Sequence, residues 1–137
     1  MNRRVAAGAV PDRVPGAGRL NQELARAIVR RHKRILGRGP TKAQVFYHGN
    51  VVVVVMEDAL TEAERRLAAR GEREAVLSMR HRYQDTMRGD LVDAVEALTG
   101  RRVEAFMSSS HIAPDLAAEV FVLDRPVAVE PIDGAPR

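Results

Sequence analysis

Ala43-Gln44-Val45-Phe46-Tyr47-His48-Gly49-Asn50-Val51-Val52-Val53-Val54-Val55 holds two strand-like runs on either side of a Gly-Asn pair. Both turn residues tolerate positive φ, which a tight hairpin requires. Five successive valines go beyond simple alternation, so the second run is expected to lie centrally in a sheet or to be buried on both faces. Glu57-Asp58 ends it. Upstream, an amphipathic helix from about Leu20 closes at Gly37-Arg38-Gly39-Pro40. Downstream the same order recurs: a helix from about Ala75 closes at Thr99-Gly100-Arg101, and strand-like runs follow at 103–107 and 119–123. Two helix–β-hairpin units predict an α+β fold, a four-stranded antiparallel sheet with its helices packed on one face.

The helix patterns sharpen this reading. In the first, Leu20, Leu24, Ala27/Ile28, Arg31 and Ile35 share a face, and Arg26, Arg30, Lys33 and Arg34 fall largely on the others. Asn21 is the expected N-cap; Gly37 or Gly39 ends the helix, and Pro40 forbids its continuation. Thr61-Glu62-Ala63-Glu64 spells a capping box for a short helix that breaks near Gly71. Val76, Arg80, Tyr83, Met87, Leu91, Val95 and Leu98 form the buried stripe of the long helix. Arg80 interrupts that stripe and requires a carboxylate partner, as a structural ion pair or as a site residue. The segment from Ser108 to Leu116 is read as a long, initially polar connection.

At 137 residues the chain has room for one domain. Residues 1–19 and 125–137 are rich in Pro, Gly and Ala without periodicity and are read as flexible tails around a domain at 20–124. Zero cysteines excludes disulfides and thiolate chemistry and fits a cytoplasmic protein. No run approaches the length of a membrane span, and no apolar segment follows Arg3-Arg4 to make a signal peptide. Charge is uneven: residues 1–40 carry ten Arg and Lys against Asp12 and Glu23, and the remainder is net acidic. That split offers the first helix to an anionic partner or reflects arginine as a solvating residue.

Few constellations carry chemistry. Ser108-Ser109-Ser110-His111 with Asp115 has the residue types of a hydrolase triad, but crowded into one loop and without a nucleophile elbow. A capped turn explains them better. None of His32, His48, His81 and His111 has helical metal-site spacing, though His48 and His111 sit in hairpin connections that could meet. No metal or cofactor is expected. Gly37-Arg38-Gly39-Pro40 follows a helix C-terminus, the wrong pole for a phosphate loop, which leaves Arg38 as an anion contact through its side chain. Five aromatics, with Tyr83 on the core stripe, supply no stacking platform, so nucleic acid is not the expected partner.

Gly37-Arg38-Gly39-Pro40, Leu60-Thr61-x-x-Glu64, Arg80 with Tyr83, Leu98-Thr99-Gly100-Arg101-x-Val103-x-x-Phe106-x-Ser108 and Glu119-Val120-Phe121-Val122-Leu123 together resemble the MpsC family over 20–124. The family takes its name from a sodium-translocating, membrane-potential-generating system. Its members are associated with membrane proteins implicated in that process and in inorganic-carbon uptake. The resemblance implies a soluble, non-enzymatic accessory or regulatory subunit, cytoplasmic or peripheral to the membrane, and brings no catalytic residues with it. Two further readings stay open: a nucleic-acid-binding module using the basic helix, and a small ligand-binding domain or enzyme using residues 108–115. Apolar residues on both sheet faces point to a homodimer. The candidate partner or anion contacts are Arg26, Arg30, Lys33, Arg34, Arg38, Arg80 and His111.

Overall fold

A computed structural model describes residues 17–128, so residues 1–16 and 129–137, most of the expected tails, lie outside the description. The order is α1 (Ala17–Leu36), β1 (Lys42–His48), β2 (Val51–Glu57), α2 (Glu62–Ala69), α3 (Arg73–Thr99), β3 (Val103–His111) and β4 (Leu116–Leu123). The four strands form one antiparallel sheet in the order β1-β2-β4-β3, so the hairpins join through β2 and β4 and leave β1 and β3 at the edges. This is the expected α+β fold.

Strand alternation decides which side is covered. Val45, Val52, Val54, Met56, Phe106, Ala117, Phe121 and Leu123 turn one way and pack with Leu24, Ile28, Met87, Leu91 and Val95 of the helices. Phe106 and Phe121 anchor this layer with ring centroids 4.9 Å apart, an edge-tilted pairing that aromatic quadrupoles favour. α1 packs over β1 and α3 over β3, with the two helices in mutual contact; α2 packs against α3. The valine run is central, as expected. It is not buried on both faces, because Val51, Val53 and Val55 remain half-exposed on the side away from the helices.

The structure differs from the sequence expectations at element ends. α1 begins at Ala17, which places Asn21 inside the helix with its Oδ1 buried and unpartnered rather than capping. Alanine and leucine at the start propagate the helix past the better capping residue. Its buried stripe is Leu24, Ala27, Ile28 and His32, while Ile35 is exposed. In α3 the stripe runs through Gln84 and Ala94, with Tyr83 half-buried and Leu98 exposed. Gly37 and Gly100 each take the positive φ that closes a helix, at 83° and 70°. β3 continues through the serines to His111, so the connection to β4 is four residues rather than a long loop. The serines fit an edge strand because Ser108, Ser109 and Ser110 pair in register with Glu119, Ala118 and Ala117.

Ordered packing reaches three residues beyond each expected domain boundary. α1 starts at Ala17, and Val127 packs on the core while its amide donates to the Gly49 carbonyl at 3.0 Å. A chain trimmed to 17–128 is expected to melt within about 3 °C of the full chain, since a loss below ~0.5 kcal/mol moves the midpoint of a domain this size by that much. An unfolded circular-dichroism spectrum would place essential contacts outside those limits.

Candidate functional site

The chemistry-bearing residues gather at two places: under the sheet, and at the crossover between β2 and α2. The crossover is Asp58-Ala59-Leu60. Asp58 has a φ of 59°, a left-handed turn that ends β2 and that aspartate tolerates better than most residues. Three elements converge on this segment. From the α1–β1 connection, Arg38 donates through Nη1 to the carbonyls of Asp58 (2.9 Å) and Leu60 (2.6 Å) and through Nη2 to Asp58 Oδ2 (3.2 Å). From α3, Arg80 Nη1 donates to the Ala59 carbonyl at 3.3 Å. From the β3–β4 turn, the Asp115 carboxylate accepts from the amides of Ala59 and Leu60, both at 3.1 Å. Arg65 of α2 bridges the carboxylates of Asp58 and Asp115. A cleft of about 480 Å³ opens beside this clamp, walled by Leu60, Ala68, Ile112, Pro114 and Arg65.

The capping box forms as expected: Glu64 N donates to Thr61 Oγ1 (3.2 Å) and Thr61 N to Glu64 Oε1 (2.8 Å). The same Oε1 accepts from Arg80 Nη1 at 3.3 Å, in an ion pair whose side chains are 3% and 1% exposed. Arg80 Nε and Gln84 Nε2 both donate to Ser110 Oγ, at 3.5 and 3.3 Å. Arg80 therefore has the carboxylate its place on the stripe demanded, and it ties α3 to α2, to the crossover and to β3. A polar cleft of about 240 Å³ between α3 and β3 leads to this group, lined by Leu77, His81 and Ser108–Ser110.

The second pair was not singled out in the sequence. His32 of α1 and Glu119 of β4 meet at 3.4 Å, 3% and 1% exposed. His32 Nδ1–H donates to the Ile28 carbonyl at 2.9 Å, which leaves Nε2 facing the carboxylate. Burial alone pulls the imidazole pKa down, and the Arg80 charge adds to that. The hydrogen bond and charge of Glu119, helped by the Ile28 carbonyl, outweigh both and raise it above the ordinary 6.5. Glu119 Oε1 and Glu64 Oε2 are buried without a partner, as is Ser108 Oγ, the register neighbour of Glu119. A signal for this pair exists in the sequence: Glu119 shares the phase of Ala117 and Phe121, and His32 lies one turn beyond Ile28.

The expected contacts are thus sorted. Arg26, Arg30, Lys33 and Arg34 are all exposed on α1. Among the described residues, Arg34 pairs with Asp90 at 3.4 Å and the other three have no carboxylate partner. Arg38 and Arg80 approach the same backbone segment, and both guanidinium groups donate to its carbonyls. His111 stands apart, exposed, with Nδ1 donating to the Pro114 carbonyl at 2.8 Å. It does not meet His48: the register places His48 beside Val51 and His111 beside Leu116, at opposite corners of the sheet. Ser110 accepts from Arg80 and Gln84, Asp115 accepts from the crossover amides, and His111 donates to Pro114, so the described contacts do not join these residues into a Ser-His-Asp relay. Among the described residues no group of three or more His, Cys, Asp or Glu is arranged to hold a metal ion. None of the described helices is long and apolar enough to cross a membrane.

A family model whose description reads Na+-translocating membrane potential-generating system (MpsC) matches residues 17–125. That span takes in every helix and strand described above. Neither the curated proteins nor the solved structures contain a match to the chain.

Proposed function

The chain belongs to the MpsC family, and from that premise we propose that it is a non-enzymatic accessory protein of a Na+-translocating, membrane-potential-generating system. It acts on the cytoplasmic side, peripheral to the membrane, and docks through the basic outer face of α1 onto an acidic surface of a membrane-embedded component. Moving an ion across a bilayer needs a spanning structure, and none of the described helices supplies one. The observation that carries the reading is the division of labour among polar groups. Arg38, Arg80, His32, Glu64, Glu119 and Asp115 are all engaged within the fold. Arg26, Arg30 and Lys33 instead stand on one exposed helix surface without carboxylate partners among the described residues.

Exposed cations confer attraction and on-rate rather than stability. Replacing Arg30, Lys33 and Arg34 together by glutamine is therefore expected to move the melting temperature by less than about 2 °C, because exposed pairs such as Arg34–Asp90 contribute little. The same variant is expected to bind at least about tenfold more weakly to membrane vesicles that contain the Na+-translocating components, and no differently to vesicles that lack them. Binding should weaken with added salt as charges are screened. Equal binding to both vesicle types would remove the acidic protein partner. Sub-micromolar, salt-sensitive binding of DNA or RNA, lost in the triple variant, would replace this reading with a nucleic-acid one.

A further inference from the structure

The sheet face away from the helices has no cover within the described chain, and its residues are sorted by register. One row across all four strands reads Phe46, Val53, Val120, Met107. The largest of these are also the most open, Phe46 at 53% and Met107 at 54% exposure, one on each edge strand. The next row outward, His48, Val51, Val122, Ala105, stays mainly apolar. At the opposite end of the strands the row is Lys42, Glu57, Leu116, His111, with Lys42 and Glu57 paired at 3.8 Å. The face therefore grades from apolar to polar along the strands, and across them its apolar band is continuous.

We infer that this face binds a second copy of the chain, about a two-fold axis that runs parallel to the strands between β2 and β4. Two faces brought together by a two-fold axis require that axis to lie in the plane between them. With the faces fully overlapped, an axis across the strands would set the apolar His48 row on the other copy's Lys42 row and put Phe46 and Met107 against Gln44 and Ser109. An axis along the strands reverses strand order and keeps every row on itself. Phe46 then lies over the partner's Met107, and Val53 over the partner's Val120, each contact made twice, as an isologous interface demands. A thioether against an aromatic ring is a favourable pairing, and the polar rows come together at one end as a hydrated rim. Twist places the two sheets in aligned sandwich packing about 30° apart, so the match is tightest near the axis. Four strands at about 4.8 Å and seven residues at about 3.3 Å give a flat footprint of about 440 Å² before side-chain relief is added. The pairing therefore belongs at the small end of stable interfaces, near ~600 Å² per partner rather than the standard ~800 Å². The α1 cations lie on the other side of the sheet, so the pairing leaves them free and stands independently of how they dock.

The absence of cysteine makes the arrangement directly testable with single-cysteine variants of the full chain. Phe46→Cys protein mixed with Met107→Cys protein is expected to cross-link through a short bismaleimide, several-fold more than either variant alone. Sedimentation equilibrium should show a dimer for the unmodified protein. Phe46→Glu/Met107→Glu should raise its dissociation constant at least about 100-fold, because two charges per copy enter an apolar interface. That variant should keep its monomer fold by circular dichroism, since both side chains are half open already. Leu77→Glu, exposed on the helix side, should leave the dimer unchanged. A monomer at ~100 µM, well above any useful affinity, would overturn the proposal, even if the face then proved to bind membranes or another protein. So would a dimer indifferent to the double Glu variant. Cross-linking of Phe46→Cys alone, or none in the mixture, would overturn the axis.

Discussion

Arg80→Met is expected to cost about 3–5 kcal/mol, because it leaves the Glu64 carboxylate buried and uncompensated. The guanidinium is 3% exposed, and its bonds reach Glu64, the Ala59 carbonyl and Ser110. Against a total stability of about 5–15 kcal/mol for a domain of this size, such a loss consumes a large share. Glu64 does two jobs with one oxygen, capping α2 at the Thr61 amide and pairing with Arg80. Glutamine keeps the first job and carries no charge. Arg80→Met/Glu64→Gln is therefore expected to recover at least about half of the loss, which is the behaviour of a buried pair removed together. Arg38→Met provides the contrast. It removes three bonds to the same crossover, yet Arg38 and Asp58 are each about one-third exposed, so water takes over part of the loss and ~1 kcal/mol is expected. Urea titrations read all three. An Arg80→Met protein within 1 kcal/mol of the parent, or a double variant no better than the single one, would show that the ion pair does not organise the crossover.

The fold was legible because its signals are local and agree with one another. Gly37 and Gly100 mark helix ends, Thr61 and Glu64 mark a start, and the Gly49-Asn50 pair sits between runs that are strands in the structure. Arg80 could be read as needing a carboxylate, since an arginine on a buried stripe has no other stable outcome. Which carboxylate could not be read, because Glu64 and Arg80 lie on different helices and only packing brings them together. His32 and Glu119 were hidden by the same circumstance: each looks ordinary on its own element, and their meaning lies in a contact between α1 and β4. The serine run misled for a different reason. Composition marks serine as turn-forming, but here the pairing of β3 with β4 supplies the backbone bonds, and tertiary register overrides local preference. The internal partners of Arg38 could not be read either, because the acceptors that hold it are two backbone carbonyls about twenty residues further along the chain.

The His32–Glu119 pair should give the protein a stability that falls as pH rises. A histidine whose folded pKa is raised binds its proton more tightly in the native state than in the unfolded one. The resulting stabilisation is fully present below the unfolded value near 6.5 and is lost as pH rises through the raised folded value. The melting temperature of the parent protein should therefore decline across that window. Glu119→Gln removes the carboxylate charge and its charge-assisted hydrogen bond. That leaves burial, the largest influence, and the Arg80 charge, which lower the imidazole pKa, against the Ile28 carbonyl, which raises it. In that variant the neutral imidazole becomes the native form, the unfolded chain holds the proton more tightly, and stability should instead climb with pH near 6. A reversal of slope separates this pair from the exposed His48, His81 and His111, which Glu119→Gln leaves untouched. His32→Leu tests the other partner. It leaves the Glu119 charge buried with no imidazole to meet it, at an expected cost of about 3–5 kcal/mol, whereas His32→Leu/Glu119→Leu takes out both charges and should lose far less. Parallel pH profiles for the parent and Glu119→Gln would mean that His32 is neutral in the folded protein and that the contact is a plain hydrogen bond. A reversed slope together with rescue in the double variant would make α1 and β4 a proton-linked joint, so that the helix bearing Arg26, Arg30 and Lys33 is held to the sheet most firmly when its imidazole is charged.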